Sequence, residues 1–353
     1  MSNSAAKEPP TKEETSPSLS SLPDAVAHSF LARVPRSDHK AISLVSKKYR
    51  SLVLSPELYK TRSLMGRREE CLYVCLSSRP YSTPLWFILR RENVKTTEPA
   101  AELIPISSFP SQPQKFSSFV SLDCGIYVMG GFINDDRTSD VWFLDCRSNK
   151  WRQVSSMGVA RAAAAAGVVS GKIYVFGGCE DTTSSKWAEV FDPKSQTWDT
   201  LVPMDDRNEG DNSIRETLVM EDKVYAVDIW NGCFYYWPSQ GQWGRRKPET
   251  QSFYCDSFGN MFWRESEELE WKKVKGLESL RKFFPRSSVR TCALEKRVRK
   301  LSNFGNNIVV FWVGPWCDVW CAEISLERSQ EEGEIWGTIE WSEAVTILDH
   351  VAV

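Results

Sequence analysis

The sequence predicts a mainly β protein in which a β-propeller, of six blades or alternatively five, follows a small module of three short helices. The first observation is an internal repeat: Ile-Tyr-Val-Met-Gly-Gly at 126–131 recurs as Ile-Tyr-Val-Phe-Gly-Gly at 173–178. The second is that three further pairs share this offset: Asp145 and Asp192, Trp151 and Trp198, Met157 and Met204. The third is the aromatic content of 12%, with 15 Trp, which suits strands. About 280 residues would hold about six such units.

Three segments follow one another along the chain. Residues 1–20 are polar and rich in Pro, Ser, Lys and Glu, which predicts a disordered tail. Residues 21–66 are predicted to form the helical module, because apolar residues recur there every three or four positions. Residues 67–350 carry short apolar and aromatic runs between turn residues, which is typical of strands. The propeller is therefore placed at 67–350.

Two apolar stripes define the helical module. Asp24 is an N-cap candidate, and the first helix is expected to end near Pro35, with Val26, Phe30 and Val34 as its apolar face. The second stripe consists of Ile42, Val45, Tyr49 and Leu52. About 45 residues make only a marginal core, so the module is expected to need a partner or the adjoining domain.

The Gly-Gly pairs and the Trp of each repeat have a physical role in a propeller. Glycines at the end of a strand allow positive φ and a close approach of backbones. A Trp one strand later would cover the space between adjacent sheets. The run of five alanines at 162–166 favours a helix by propensity, but its position just before the second repeat places it on the innermost strand of a blade. Later units lose the Gly-Gly pair.

Composition excludes several classes of function. The 44 basic and 46 acidic residues give a net charge of −2, which offers no argument for nucleic-acid or membrane binding. No apolar run is long enough to span a membrane, and the first residues do not resemble a signal peptide, so the cytoplasm or nucleus is expected and the ten Cys should be reduced. With three His and no CxxC, neither a metal, nor a cofactor, nor an enzymatic activity is expected.

Several weaker patterns have ordinary structural explanations. The basic stretch 281–300 could recognise an acidic or phosphorylated partner or act as a nuclear signal, but a solvated loop and strand face is favoured. The loop acids that follow the repeats lack the spacing of a calcium loop. Gly167 and Gly171 are spaced too closely for a phosphate-binding loop and predict a hairpin turn. His28 and His39 are expected at the surface.

The two halves resemble known families. The segments 22–24 (Leu-Pro-Asp), 31–35 (Leu-Ala-Arg-Val-Pro), 44–52 and 55–59 (Ser-Pro-Glu-Leu-Tyr) resemble an F-box, and the Gly-Gly and Trp units resemble kelch repeats. Their order is similar to that of the plant F-box/kelch-repeat proteins. This resemblance implies a substrate receptor of an SCF-type ubiquitin ligase, which docks on a Skp-type adaptor, and through it on cullin, while the propeller holds an unidentified target protein. The alternative is a kelch interaction scaffold that does not assemble into a ligase.

Candidate site residues follow from this interpretation. The surface for the adaptor is predicted to consist of Leu22, Pro23, Leu31, Val34, Pro35 and Val45. The target is expected on the loops 134–138, 180–186 and 205–212, since loops carry the variable side chains of a propeller. The first two loops follow the Gly-Gly turns and should share a face, whereas the third could join that face or the opposite one. Their acidic residues Asp135, Asp136, Glu180 and Asp181 suggest a basic or hydrogen-bond-donating partner.

Overall fold

The computed structural model describes residues 22–67, 69, 71–76, 85–91, 101–106, 115–230, 232–245, 251–256, 259–265, 270–280, 298–304, 306–313, 319–329 and 333–347. The chain divides into two compact units, Met1–Glu70 and Cys71–Val353. The predicted tail at 1–20 and the basic stretch up to residue 297 lie outside the described residues. Within these ranges, none of the helices has the length and apolar content needed to cross a membrane.

The first unit contains four short α-helices where the sequence predicted three. They are α1 (Asp24–Leu31), α2 (His39–Val45), α3 (Lys47–Leu54) and α4 (Pro56–Leu64), with a 3₁₀ turn at Arg36–Asp38. The extra break lies at Ser46, whose backbone is extended and whose side chain accepts a hydrogen bond from the Tyr49 amide at 3.2 Å. Ser55 caps α4 in the same way, ahead of Pro56. Ser46 therefore divides the second apolar stripe between two helices.

The buried face of α1 differs from the predicted one. Ala27 and Leu31 are fully buried, whereas Val26 and Phe30 are about half exposed. The prediction was wrong here because both pairs have the same four-residue spacing, and spacing alone cannot tell which pair faces the core. The small Ala27 allows α1 to pack closely in a core shared with Tyr49, Leu52 and other buried residues of the same unit.

The second unit is built almost entirely from strands. In chain order these are β1 (Leu72–Leu76), β2 (Leu85–Arg91), β3 (Ala101–Pro105), β4 (Ser118–Leu122), β5 (Gly125–Met129), β6 (Phe132–Ile133), β7 (Asp136–Arg137), β8 (Val141–Asp145), β9 (Lys150–Val154), β10 (Ala165–Val169), β11 (Lys172–Phe176), β12 (Ala188–Asp192), β13 (Thr197–Thr200), β14 (Ile214–Met220), β15 (Lys223–Asp228), β16 (Cys233–Trp237), β17 (Gln242–Gly244), β18 (Gln251–Cys255), β19 (Met261–Glu265), β20 (Lys272–Lys273), β21 (Val298–Phe304), β22 (Asn307–Val313), β23 (Val319–Arg328) and β24 (Ile335–Ile347).

These strands form a β-propeller, which confirms the predicted fold class. Counted as hydrogen-bonded sheets, the described strands give five blades: β4-β5-β8-β9, β10-β11-β12-β13, β14-β15-β16-β17, β18-β19-β20 and a seven-stranded sheet β1-β2-β3-β24-β23-β22-β21. The hairpin β6-β7 stands apart as a two-stranded ribbon.

The count of five is the alternative that the sequence allowed, and six was the preferred number. The difference arises in the seven-stranded sheet. Dividing the chain by the repeat length counts β1–β3 and β21–β24 as separate blades, but the structure joins them in one sheet. The end of β24 pairs in parallel with β3, at Thr346 opposite Glu102 and Ile347 opposite Leu103. The first and last strand groups of the propeller therefore belong to one sheet.

The Gly-Gly pairs behave as the sequence predicted. Gly130, Gly131, Gly177 and Gly178 all have positive φ. A Cβ on Gly178 would lie 2.4 Å from the carbonyl oxygen of Ala162, so no larger residue fits without moving the backbone. The glycines thus allow the end of the second strand of a sheet to contact the segment that precedes the first strand.

No helix forms over the alanine run at 162–166. Ala165 and Ala166 begin β10, which lies between β4 and β14, the first strands of the two neighbouring sheets. On this crowded strand, a Cβ at Gly167 would come within 2.6 Å of the Val219 side chain. Ala162 to Ala164 lead into the strand instead of forming part of it, and Ala163 has φ +53°. Tertiary packing therefore overrides helix propensity, as predicted.

The repeated Trp residues connect adjacent sheets. Trp198 on β13 donates its indole N–H to the Ser155 carbonyl, just after β9, at 2.8 Å. Trp243 on β17 does the same to Val202, just after β13, at 2.9 Å. Each indole also packs in the apolar core between its own sheet and the preceding one. The Trp of the repeat therefore combines burial with a satisfied donor.

We predict that Gly178→Ala lowers the free energy of unfolding by about 3 kcal/mol, from positive φ and steric overlap together. Gly171→Ala is the matched control, because Gly171 also has positive φ but has no atom within 4 Å of the added Cβ. This control should lose only about 1 kcal/mol. Urea denaturation followed by Trp fluorescence measures both, and equal losses would contradict the steric argument.

Candidate functional site

The beginning of the helical unit is held in place by a lysine on α3. Lys48 Nζ donates to the Leu22 carbonyl at 2.6 Å and lies 3.1 Å from Asp24 Oδ1. Pro23 occupies the N-cap position of α1 and is exposed. The Leu-Pro-Asp segment is therefore fixed relative to the helices while Pro23 remains accessible.

The predicted adaptor residues fall into three groups by burial. Pro23, Pro35 and Val45 are exposed, Leu22 and Val34 are half-buried, and Leu31 is fully buried. Because Leu31 lies in the core of the helical unit, its side chain cannot contact a partner directly and acts only by packing.

Other apolar side chains of this unit are exposed and were not among the predicted residues. Leu44 is 72% exposed beside Val45 at 68%, at the end of α2. Val26 and Phe30 form a second exposed pair on α1. One feature of the sequence could have identified Leu44. It adjoins Val45, a residue of the second apolar stripe, and Val45 directly precedes the capping Ser46. These four side chains, together with Pro23, are called the helical surface below.

A buried arginine fixes the turn between α1 and α2. Arg62 donates to the Val34 carbonyl at 2.6 Å and forms an ion pair with Glu69. Glu69 in turn accepts a hydrogen bond from the Arg36 amide at 3.0 Å. The turn that contains Pro35 is therefore attached to α4 and to the segment after it.

His39 lies against this turn and is buried, contrary to the expectation of a surface position. Burial, reinforced by the positive charge of Arg62, lowers the pKa of His39 below its usual value of 6.5, and Glu69 opposes this shift. The folded unit therefore favours the neutral form of the His39 imidazole over the charged form.

We predict that lowering the pH destabilises the helical unit through His39. Because the pKa of His39 is lower in the folded than in the unfolded chain, its contribution is complete above pH 6.5 and is lost as the pH falls through the folded pKa. The chain has only three His, so an NMR titration of the imidazole C–H signals, assigned with His→Gln variants, measures each pKa. A His39 midpoint at or above that of the unfolded chain would contradict this.

On the propeller, the three candidate loops have different local structures. The first is a tight hairpin turn between β6 and β7, with Asn134 and Asp135 at positive φ. In the second, Asp181 Oδ1 accepts hydrogen bonds from the Thr183 amide and hydroxyl at 2.8 and 2.6 Å. These bonds lower the pKa of Asp181. The third contains a 3₁₀ turn at Glu209–Asn212.

The structure brings all three loops together around Gly178. Arg137 of the first loop donates to the Gly178 carbonyl at 3.1 Å. Gly178 itself donates to the Asn212 carbonyl of the third loop at 2.8 Å, and the side-chain Nδ2 of Asn212 donates to the Cys179 carbonyl at 2.5 Å. The first two loops share a face, as expected, and the third joins the same one. We call the surface that these loops form the loop face.

Beneath the loop face lies a buried ion pair between Arg161 and Glu189. The side chains are 1% and 3% exposed, and Arg161 Nη2 lies 2.8 Å from Glu189 Oε2. Arg161 Nη1 donates to the carbonyls of Gly177 and Trp187 at 2.8 and 2.7 Å, while Glu189 Oε1 accepts from the Gly158 amide at 2.9 Å. Nearly every polar atom of the pair is thus satisfied, as burial requires.

The backbone of Arg161 extends the same connection to the preceding blade. Its carbonyl accepts from the Gly131 amide at 2.7 Å, and its amide donates to the Thr138 carbonyl at 3.0 Å. One residue therefore joins the β6-β7 hairpin to the loop that follows β11.

We predict that Arg161→Met destabilises the propeller by about 3–5 kcal/mol, because Glu189 is left buried without its cation. Lys172→Met is the control, since the Lys172–Asp192 pair is partly exposed, with side-chain exposures of 46% and 26%. Removing that pair should cost about 1 kcal/mol or less. Chemical denaturation distinguishes the two, and a loss below that of the control would contradict the structural role given to Arg161.

The acidic residues of the loop face divide into bound and unpaired groups. Asp206 and Asp211 are held by Arg245, at 2.9 Å and 3.1 Å, and Asp181 is used within its own loop. Asp135, Asp136 and Glu180 are exposed, and their carboxylates have no partner within the described ranges. Among the residues that the structure describes, no three His, Cys, Asp or Glu side chains cluster as metal ligands would.

The fold and these two surfaces define a protein of the β-propeller class that carries a separate four-helix unit. Family comparison identifies both parts. The F-box domain model matches residues 19–61, and the model described as FKB95, Kelch-repeats domain, matches residues 86–346. The chain belongs to the F-box/kelch-repeat family.

Curated relatives from Arabidopsis thaliana match over almost the whole chain. F-box/kelch-repeat protein At4g39580 is 38% identical, covering 92% of this chain and 89% of the relative. F-box/kelch-repeat protein At4g39550 is 36% identical, covering 96% and 93%. Among solved structures, one titled "Structure of YjhT" matches with a TM-score of 0.47 and 13% identity, over 76% of this chain and 94% of that one.

Proposed function

We propose that the protein is the substrate-recognition subunit of an SCF-type ubiquitin ligase, in which the F-box docks on a Skp-type adaptor and the propeller binds a target protein. The observation that carries the proposal is the helical surface. A unit with a closed core of its own still exposes Leu44 and Val45 at 72% and 68%. Exposed apolar side chains on so small a unit favour a protein partner that covers them.

The role of the propeller in this proposal is to hold a target near activated ubiquitin. Such a subunit needs no catalytic group, because it acts by raising the local concentration of the reactants. The adaptor would connect the F-box to cullin, and the cytoplasm or nucleus is the proposed site of action. The alternative, an interaction scaffold outside any ligase, differs in one respect only: it would not bind a Skp-type adaptor.

We predict that Leu44→Ala with Val45→Ala weakens binding to a purified Skp-type adaptor by at least about tenfold, since a partner that covers these side chains gains about 0.8 kcal/mol for each CH₂ removed from water. Leu64→Ala is the matched control, because Leu64 is 89% exposed on α4 of the same unit but lies beyond residue 61, where the F-box match ends. It should bind as the unaltered chain does. Isothermal titration calorimetry with the full chain measures this, and an unaltered chain that does not bind the adaptor would favour the scaffold.

Leu22→Ala with Pro23→Ala tests the predicted adaptor residues that precede α1. We predict that this double variant loses co-purification with the adaptor while the propeller stays folded. Leu31→Ala should act differently, because removing a fully buried side chain destabilises the F-box unit by about 2–5 kcal/mol. Its loss of binding should recover at low temperature, whereas that of the surface variants should not. Unchanged co-purification of the Leu22 and Pro23 variant would refute the surface.

A further inference from the structure

We propose that the loop face binds an extended peptide segment of the target that places an apolar side chain between Lys or Arg residues. This inference rests on the proposed function, because it names the chemistry of the substrate that the propeller would capture. Two independent features carry it: an exposed aromatic anchor packed against the third loop, and unpaired negative charge on the same loop face.

The anchor is Trp230, which follows β15. The first two repeats have Gly-Gly at the end of their second strand, whereas here Asp228 and Ile229 stand in those positions. The Asp228 carboxylate closes the turn in place of the glycines, accepting from the Trp230 and Gly232 amides at 2.8 and 2.7 Å. Asp228 is buried, while Ile229 and Trp230 are 52% and 66% exposed. The departure from the repeat thus presents two large apolar side chains to solvent.

Trp230 is also held in position. Its ring lies against Gly210 in the third loop, where an added Cβ would come within 2.3 Å of the ring. One edge of the indole is therefore packed, while most of the residue remains exposed. An exposed aromatic ring that is partly fixed by packing is the type of side chain that dominates protein interfaces, because little conformational entropy is lost on binding.

A second exposed aromatic residue lies on the same face. Phe116 is 67% exposed and packs edge-on against Phe132 at the base of the first loop. Its carbonyl accepts from the Ala163 amide at 2.8 Å, and the Ala163 carbonyl accepts from the Ile214 amide at 3.3 Å. The carbonyl of Ser213, which precedes Ile214, accepts from the Ile229 amide at 3.1 Å. A continuous chain of backbone contacts therefore connects the two aromatic positions.

The net charge of the three loops determines which partner the loop face would favour. The three loops hold eight acidic and three basic residues. Arg137 is stacked on Phe132 and Arg207 on Trp187, so both guanidinium groups already interact with aromatic rings of the protein. The carboxylates of Asp135, Asp136 and Glu180 have no partner within the described residues. Such a rim attracts Lys and Arg and repels phosphate groups, anionic lipids and a second copy of the same face.

The test uses synthetic nine-residue peptides labelled with fluorescein. The cationic probes carry Leu, Phe or Trp at the centre and Lys or Arg on both sides. The first control set replaces Lys and Arg by Glu, and the second replaces the central residue by Ser. Fluorescence anisotropy with the full chain should show binding of cationic probes, about tenfold weaker binding of the Ser-centred set, and none of the Glu set. Binding should weaken as salt is raised.

Variants then locate the binding surface. Trp230→Ala should weaken binding of the cationic probe by at least about tenfold, and Trp230→Phe should restore most of it. Trp336→Ala is the matched control, since Trp336 on β24 is 48% exposed and lies outside the loop face. The triple variant Asp135→Asn, Asp136→Asn, Glu180→Gln should weaken binding and flatten its salt dependence. Glu221→Gln with Asp222→Asn, at the opposite end of the β14-β15 hairpin, should change nothing.

Several results would overturn the inference. Cationic probes could bind no better than their Glu counterparts, Trp230→Ala could bind as the unaltered chain does, or Trp336→Ala could lose as much binding as Trp230→Ala. A dimer in sedimentation velocity that Trp230→Ala converts to a monomer would also overturn it, by assigning the face to self-association. Adaptor binding is measured on the same preparations, so a chain that binds the adaptor but no cationic probe refutes the inference alone.

Discussion

The arrangement of the loop face depends on the side chain of Arg161, which is buried where two blades meet. Its guanidinium group binds the backbone carbonyls of Gly177, just after β11, and Trp187, just before β12, as well as Glu189 on β12, while its own backbone is bonded to the preceding hairpin. The cost of burying two charges is offset because nearly every donor and acceptor is satisfied. Gly130 leaves the space in which the Arg161 carbonyl sits. The β6-β7 hairpin and the loop that follows β11 are therefore attached to one buried residue.

Much of the propeller was predictable, because the internal repeat shows how many residues separate equivalent positions of successive blades. One 47-residue offset, together with the steric needs of stacked sheets, predicts three features. These are the Gly-Gly turns, the Trp residues between sheets, and a strand where the alanine run would otherwise favour a helix. The blade count was less predictable, because whether neighbouring strand groups share a sheet depends on a two-residue pairing between β3 and β24. No local pattern in either segment encodes that pairing.

The candidate surfaces were harder to predict than the fold. On α1, two apolar pairs with equal spacing competed for the core, and the choice of Ala27 and Leu31 depends on how closely α3 and α4 approach. His39 was expected at the surface because a lone polar residue at a helix start usually is, yet the Arg62 and Glu69 network buries it. Trp230 had a sequence signal, the loss of Gly-Gly, but only the structure shows its ring lying on Gly210.

The parallel pairing of β24 with β3 also affects how the chain folds. Almost the whole propeller lies between these strands, so their contact is among those with the greatest separation in sequence. During synthesis, β1–β3 emerge early and keep an unpaired edge until β24 has left the ribosome. Closing so large a loop is slow, and the intermediate blades can form first because their strands are neighbours in sequence. We therefore expect the ring to close last, so that the edge of β3 that pairs with β24 stays exposed to chaperones until then.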